Sequence, residues 1–284
     1  MLKHLAAERG LSYVTLDNLS DQRLAKDDPE LFLERYKAPL MIDEIQYAPN
    51  LFPAIKRRID ESDDRGRYWL NGSQQWNMMK NLKESLAGRV GIVNLLGLSS
   101  AEIARRPRTS TPFVPATHTA ETHMQHDPLD PFERIIRGFY PALYQPNSPD
   151  VSTFYNSYTQ TYLDRDVRQL SPIAKTSNFE TFLRLCAART GQILNMSDMA
   201  RDADVSIHAV KEWLSILETG MQIYLLKPYF ANISKRFIKA PKLYFIDTGL
   251  ASFLTNCKDA ETARSGPMAG ALFETYVVAE ILKS

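Results

Sequence analysis

Two carboxylates, Asp43 and Glu44, stand side by side at the end of the apolar run Pro39-Leu40-Met41-Ile42. A short continuous run of Leu, Met and Ile reads as a strand buried on both faces, of the kind found in a parallel sheet covered by helices. Charge at the end of such a strand belongs at the carboxyl edge, where open α/β sheets bind their ligands. Successive strand side chains point to opposite faces, so the two acids can serve two tasks where the strand ends and the backbone turns. Acids so placed are the residue types that hold a divalent cation and orient a water for attack on a phosphoryl group. The plainer alternative is a strand-end pair that caps the next helix.

Other candidate chemistry is weaker. His118, His123 and His126 lie in a Pro-rich stretch with no nearby Cys and no helical frame to aim them, which argues against a metal site. The two cysteines, Cys186 and Cys257, have no CxxC spacing and fit neither a disulfide framework nor a zinc site. Arg105-Arg106-Pro107-Arg108 reads as a solvated charge run.

The elements that must position these residues follow from patterning. The 284 residues suffice for one large or two ordinary domains, and 34 Lys and Arg against 33 Asp and Glu leave no overall field toward nucleic acid or membrane. No apolar stretch approaches the roughly 20 residues of a membrane span, and the first residues open no signal peptide, so a cytoplasmic protein without a membrane partner is expected. Residues 1–9 read as the tail of a helix closed by Gly10, and Leu11–Leu16 as a strand. Residues 27–36 read as one helix with Pro29 near its first turn, leading into the strand that ends at Asp43. Leu51, Ile55 and Ile59 mark a one-sided surface helix, Arg67–Leu70 a third strand, Met79, Leu82 and Leu86 another helix, and Gly91–Leu96 a fourth strand. Such alternation argues for a parallel α/β sheet with right-handed crossovers.

At this point the residues carry a resemblance. Pro39–Gln46, Tyr68–Gln75, Glu84–Val90, Arg137–Pro141, Thr161–Arg168, Leu243–Gly249 and Phe273–Val278 resemble, in order and across nearly the whole chain, uncharacterised prokaryotic AAA-type ATPases with a C-terminal domain of unknown function. The resemblance implies ATP and Mg²⁺ as cofactors, with Asp43 in the magnesium shell and Glu44 on the water as a Walker B pair. It makes Asn71, with Ser73 and Gln74 beside it, a polar sensor at the neighbouring strand end, and Arg89 an arginine that neutralises transition-state charge. Turn chemistry at Asn71-Gly72 and a surface ion pair for Arg89 remain the alternatives. The departure from the pattern is the phosphate cradle: no GxxxxGK[ST] occurs in this sequence. By resemblance that loop and the first strand would precede Met1, so the expectation is a truncated ATPase core over residues 1–103 that does not bind ATP in the usual way: either an ATP-driven switch of a winged-helix domain that is inactive as this chain, or a non-catalytic DNA- or protein-binding module on a degenerate core.

Residues 104–131 read as a linker or mobile loop, and the chain beyond as helical over 132–190. Phe154, Tyr158 and Tyr162 form an aromatic stripe, and Phe179, Phe182, Leu183, Cys186 and Ala187 fit the helical core template, making Cys186 a buried hydrophobe. Asn195 caps a short helix, a turn follows at Asp204-Val205, and Ser206 caps a second helix with Val210, Trp213, Leu214 and Leu217 inward. With strands at Met221–Leu226 and Lys242–Ile246, residues 191–248 read as a winged helix-turn-helix. Lys211, Lys235, Arg236, Lys239 and Lys242 are its candidate phosphate contacts, and DNA, a protein partner or self-association its candidate uses. Residues 249–284 open an α/β C-terminal domain expected to stop short, with Glu274 early in its helix and nothing beside it to complete the two-metal carboxylate cluster of a nuclease.

Overall fold

A computed structural model describes residues 2–62, 64–72, 85–105, 130–162, 176–229 and 239–283. It falls into two compact units, 1–94 and 95–284.

The first unit is a parallel sheet of three strands, β1 (Ser12–Thr15), β2 (Leu40–Asp43) and β3 (Tyr68–Leu70), in the order β1-β2-β3. Leu40, Met41 and Ile42 are almost wholly buried, as the apolar run requires of a strand covered on both faces. Helices α1 (Leu2–Glu8), α2 (Leu19–Asp27), α3 (Pro29–Arg35) and α4 (Leu51–Asp60) complete the unit. Their apolar stripes supply Ala25, Phe32, Leu33, Leu51, Phe52 and Ile55 to its core. Gly10 follows α1 with φ +70°, the left-handed conformation expected of a glycine stop.

The helix expected over 27–36 forms as α3, with Pro29 at its first position and Asp28 capping it by accepting from Leu31 N; the Asp28 N–H also donates to Leu24 O and closes the separate helix α2 that precedes it. One expectation is corrected. The fourth strand at 91–96 is absent: no ladder joins this segment to the described strands, and Ile92, Val93 and Leu95 are 52%, 91% and 66% exposed. An apolar run becomes a strand only when a neighbour supplies its hydrogen bonds. Most of the expected helix around Met79 and Leu82 lies outside the described residues, although Leu86 is buried.

The second unit contains α5 (Ser100–Ile103), α6 (Pro131–Arg137), α7 (Val151–Tyr162), α8 (Thr176–Ala188), β4 (Gln192–Ile193), α9 (Met196–Asp202), α10 (Ile207–Thr219), β5 (Ile223–Leu226), β6 (Lys242–Phe245), α11 (Thr248–Leu254), α12 (Ala260–Ser265) and α13 (Ala269–Lys283). Its strands pair antiparallel in the order β4-β6-β5. Phe179, Phe182, Leu183, Cys186 and Ala187 are buried as their spacing demands, and burial pushes the Cys186 thiol up. Phe179 and Phe182 pack on Trp213 with ring centroids 5.2 Å away in each case. Asn195 and Ser206 cap α9 and α10, and Asp204 takes φ +52° in the turn between them.

One core runs through this unit, from Ile135 and Tyr155 through Trp213 and Leu243 to Leu272. Residues 95–105 belong to it as well: Leu98 N donates to Phe139 O at 2.8 Å, and Ser100 N to Glu280 Oε2 at 2.9 Å. By its contacts this segment goes with the second unit, and the two compact units divide at residue 94. The proposed linker, apart from its ends, lies outside the described residues, as do His118, His123 and His126.

A buried carboxylate organises the middle of this core. Asp247 caps α11 through Leu250 N (2.8 Å) and accepts from Phe139 N (2.7 Å) and Tyr155 Oη (2.7 Å). Burial pushes its carboxyl up against the opposing pull of these donors. Gly138, at φ +74°, lets the chain pass so closely that an added Cβ would lie 1.9 Å from Tyr155 Oη. Tyr155, fully buried between the expected stripe residues Phe154 and Tyr158, escaped the sequence reading; the Tyr162 side chain lies outside the described residues.

Candidate functional site

The parallel register builds the site. Thr15 pairs with Asp43, and the Ile42 to Leu70 pairing brings Asn71 beside Asp43 at the carboxyl edge. Asn71 N donates to Ile42 O (2.9 Å) and Ile45 N to Asn71 O (3.0 Å), so the two strand ends are tied by backbone before any side chain acts.

Three donors converge on the Asp43 carboxylate. Asn71 Nδ2 donates to Oδ1 at 2.5 Å, Glu44 N to the same oxygen at 3.1 Å, and Tyr13 Oη to Oδ2 at 2.7 Å. The Tyr13 phenol is pushed up to about 12, chiefly because its hydrogen bond to Asp43 favours the protonated form, with burial and the carboxylate charge adding to it. The strand ends at Asp43 because Glu44 takes φ +56°, a left-handed conformation that is rare outside glycine and is met at functional turns. Glu44 thus leaves the strand, and its carboxylate accepts a hydrogen bond from Gln46 Nε2 in the short 3-10 turn Ile45–Tyr47.

Of the residues singled out by sequence, the fold brings Asp43, Glu44 and Asn71 together. Ser73 and Gln74 lie outside the described residues. Arg89 makes a bidentate pair with Asp60, Nε to Oδ1 at 2.5 Å and Nη2 to Oδ2 at 3.2 Å, the surface ion pair that sequence left open as its alternative. Tyr13 and Gln46 were missed. The readable signal for Tyr13 was its place two residues before Thr15 on a strand, which sets both on one face.

In the second unit Lys211 is exposed on α10 and Lys239 is exposed before β6, whereas Lys235 and Arg236 lie outside the described residues. Lys242, expected to face phosphate, is instead bound to Glu274 at 2.7 Å. Glu274 also accepts from Tyr244 Oη, and these two donors hold its carboxyl below the usual range. The cause is the strand pairing of β6, which sets Lys242 and Tyr244 two apart on one face under α13. Among the described residues no group of three or more His, Cys, Asp and Glu side chains is placed to hold a metal ion by itself. No described helix is long and apolar enough to cross a membrane.

The edge carboxylate, its Asn neighbour and the parallel sheet beneath them can now be set against known proteins. Residues 1–104 match the family model of an AAA domain. That match supports an AAA-type, P-loop-type family for this part of the chain. Residues 130–261 match a domain of unknown function (DUF8612). The uncharacterized proteins Rv2008c of Mycobacterium tuberculosis and Mb2031c of Mycobacterium bovis are each 28% identical over 256 residues, covering 89% of this chain and 53% of the relative. The chain thus spans about half the length of these curated relatives. No solved structure matches it.

Proposed function

We propose that residues 1–94 carry the acid side of an AAA-type Mg-ATP site and that nucleotide turnover at this edge switches the state of the helical unit. The observation supporting this most is the row formed by Asp43 and Asn71 at the carboxyl edge of a parallel sheet, with Glu44 turned out of the strand beside it. Magnesium in nucleotide sites is held by one or two carboxylates together with phosphate oxygens, a role that a single oriented edge carboxylate fits. When bound, the ion would neutralise charge on the phosphates.

This geometry supports the following roles. Asp43 serves the cation side, and Asn71 holds its carboxylate in place. Glu44, once released by Gln46, accepts a proton from the attacking water. Arg89 could serve phosphate only after leaving Asp60. A backbone cradle for the phosphates is not written in this sequence. Residues 1–284 alone should therefore show no saturable micromolar binding of Mg-ATP by calorimetry. In a form that carries a GxxxxGK[ST] loop upstream, Glu44→Gln should trap bound ATP and slow turnover about a hundredfold or more. Unchanged hydrolysis would remove Glu44 from this role.

For the second unit we infer a winged helix-turn-helix, supported by the order α8-β4-α9-α10-β5-β6 and the antiparallel strand order β4-β6-β5. A protein partner suits it better than DNA. Asp198, Asp202, Asp204, Glu212 and Glu218 outnumber Arg201 and Lys211 along α9, α10 and the turn between them, and Lys242 is committed to Glu274. Binding to duplex DNA rests on local positive charge. Fluorescence anisotropy with a random duplex should give no saturable binding at ~150 mM salt. Salt-sensitive binding weakened by Lys211→Ala would favour DNA instead.

A further inference from the structure

The hydrogen bond from Tyr13 to Asp43 crosses from the neighbouring strand and belongs to neither the backbone ladder nor the predicted acid pair. A carboxylate offers about four lone-pair sites. Asn71 Nδ2 and Glu44 N occupy those of Oδ1, and Tyr13 Oη takes one of Oδ2. One site on Oδ2 is left uncommitted by these described donors. The carboxylate is gripped from both sides, by β1 through Tyr13 and by β3 through Asn71, so it cannot turn about its side-chain bond without breaking a charge-assisted hydrogen bond.

We propose that Tyr13 is a positioning residue for the cation side of this site: it holds Asp43 in one orientation and leaves a single Oδ2 lone pair to meet a divalent cation or a water on it. The proposal rests on the reading of Asp43 as the metal-side acid. The phenol stabilises the free carboxylate, and a cation must compete with that stabilisation. Tyr13 thereby trades affinity for orientation. Removing the hydroxyl has a definite sign: the carboxylate should bind a bare cation more tightly while losing the fixed direction.

Tyr13→Phe keeps the ring and its place beneath Lys3, whose Nζ lies 5.3 Å from the ring centroid. The test titrates Mn²⁺ alone into residues 1–284, read by electron paramagnetic resonance of the free ion, for the parent, Tyr13→Phe and Asp43→Asn, with melting temperatures taken alongside. Tyr13→Phe should bind Mn²⁺ about threefold to tenfold more tightly than the parent, the size expected from one hydrogen bond of ordinary net strength, whatever its melting temperature does. Asp43→Asn should abolish the binding. A merely structural tyrosine would lower the melting temperature and leave the affinity unchanged or weaker, and that result overturns the proposal, as does the lack of a measurable Mn²⁺ site in both Tyr13→Phe and the parent. If Asp43→Asn loses the binding while Tyr13→Phe gains none, the Tyr13 inference fails and the Asp43 reading stands. If Asp43→Asn binds as the parent does, the Asp43 reading fails with it.

Discussion

Replacing Asp247 with Asn probes the packing of the second unit with one atom changed. The carboxylate accepts from Phe139 N at 2.7 Å, Tyr155 Oη at 2.7 Å and Leu250 N at 2.8 Å, and it is buried. An amide retains one carbonyl oxygen, which can serve Tyr155 and Leu250 as Oδ1 does now. Its NH₂ then meets the Phe139 N–H where Oδ2 stood, donor against donor. A buried donor left without an acceptor costs about 1–3 kcal/mol, and the two surviving bonds lose their charged acceptor. Relief of a buried charge offsets part of this, leaving a net loss of about 2–3 kcal/mol. For a unit of this size that is roughly 4–12 °C in melting temperature. Scanning calorimetry with near-ultraviolet circular dichroism reads it. The sign of the pH dependence is also fixed. Burial raises the folded-state pKa of Asp247, so from the ordinary carboxylate value up to the raised one the native state binds the extra proton and parent stability falls as pH rises. The Asn variant lacks that slope, and its deficit should narrow through the same window. A variant melting within about 1 °C of the parent, well below the expected shift, would refute the role given to this carboxylate.

Gly138→Ala should be worse, because the added Cβ would sit 1.9 Å from Tyr155 Oη and 2.6 Å from Asp247 Oδ1 on a backbone at φ +74°; loss of the cooperative melt of the second unit is expected, and a normal melt would contradict the geometry. In the first unit Glu30 accepts from Arg57 and Arg58, whose guanidinium donors hold its carboxyl below the usual range. Its contribution is present above the unfolded carboxylate value and lost as pH falls through the depressed one. Glu30→Gln should therefore flatten the acid side of the melting-temperature profile, and an unchanged acid limb would show that this exposed cluster contributes nothing. Lys242→Met should release Glu274 toward the ordinary carboxylate range, as carboxyl NMR titration of that residue would report.

How much of this was legible varied with the range of the interaction. The stripe from Phe179 to Ala187 could be read because helical burial repeats locally, and the strand ending at Asp43 because an apolar run ended in charge. Helix α2 was missed since Leu19-Ser20-Asp21-Gln22-Arg23 offers little apolar period, and only Asn18 at its start signals it. The segment 91–96 was misread because an apolar run names no partner strand. Contacts set by register or by distance along the chain stayed hidden. Tyr13 reaches Asp43 across 30 residues, Tyr155 reaches Asp247 across 92, and Lys242 reaches Glu274 across 32. Each joins residue types that are unremarkable alone.

The most direct test of the edge site is paramagnetic. With backbone and side-chain amides assigned, Mn²⁺ is added to residues 1–284 at low stoichiometry and the loss of signal is mapped by residue. The amides of Asp43, Glu44 and Asn71, with the Asn71 Nδ2 group, should broaden first, and Asp43→Asn should erase the pattern. Broadening centred elsewhere, or unaltered by that substitution, would contradict the assignment of this sheet edge to a divalent cation.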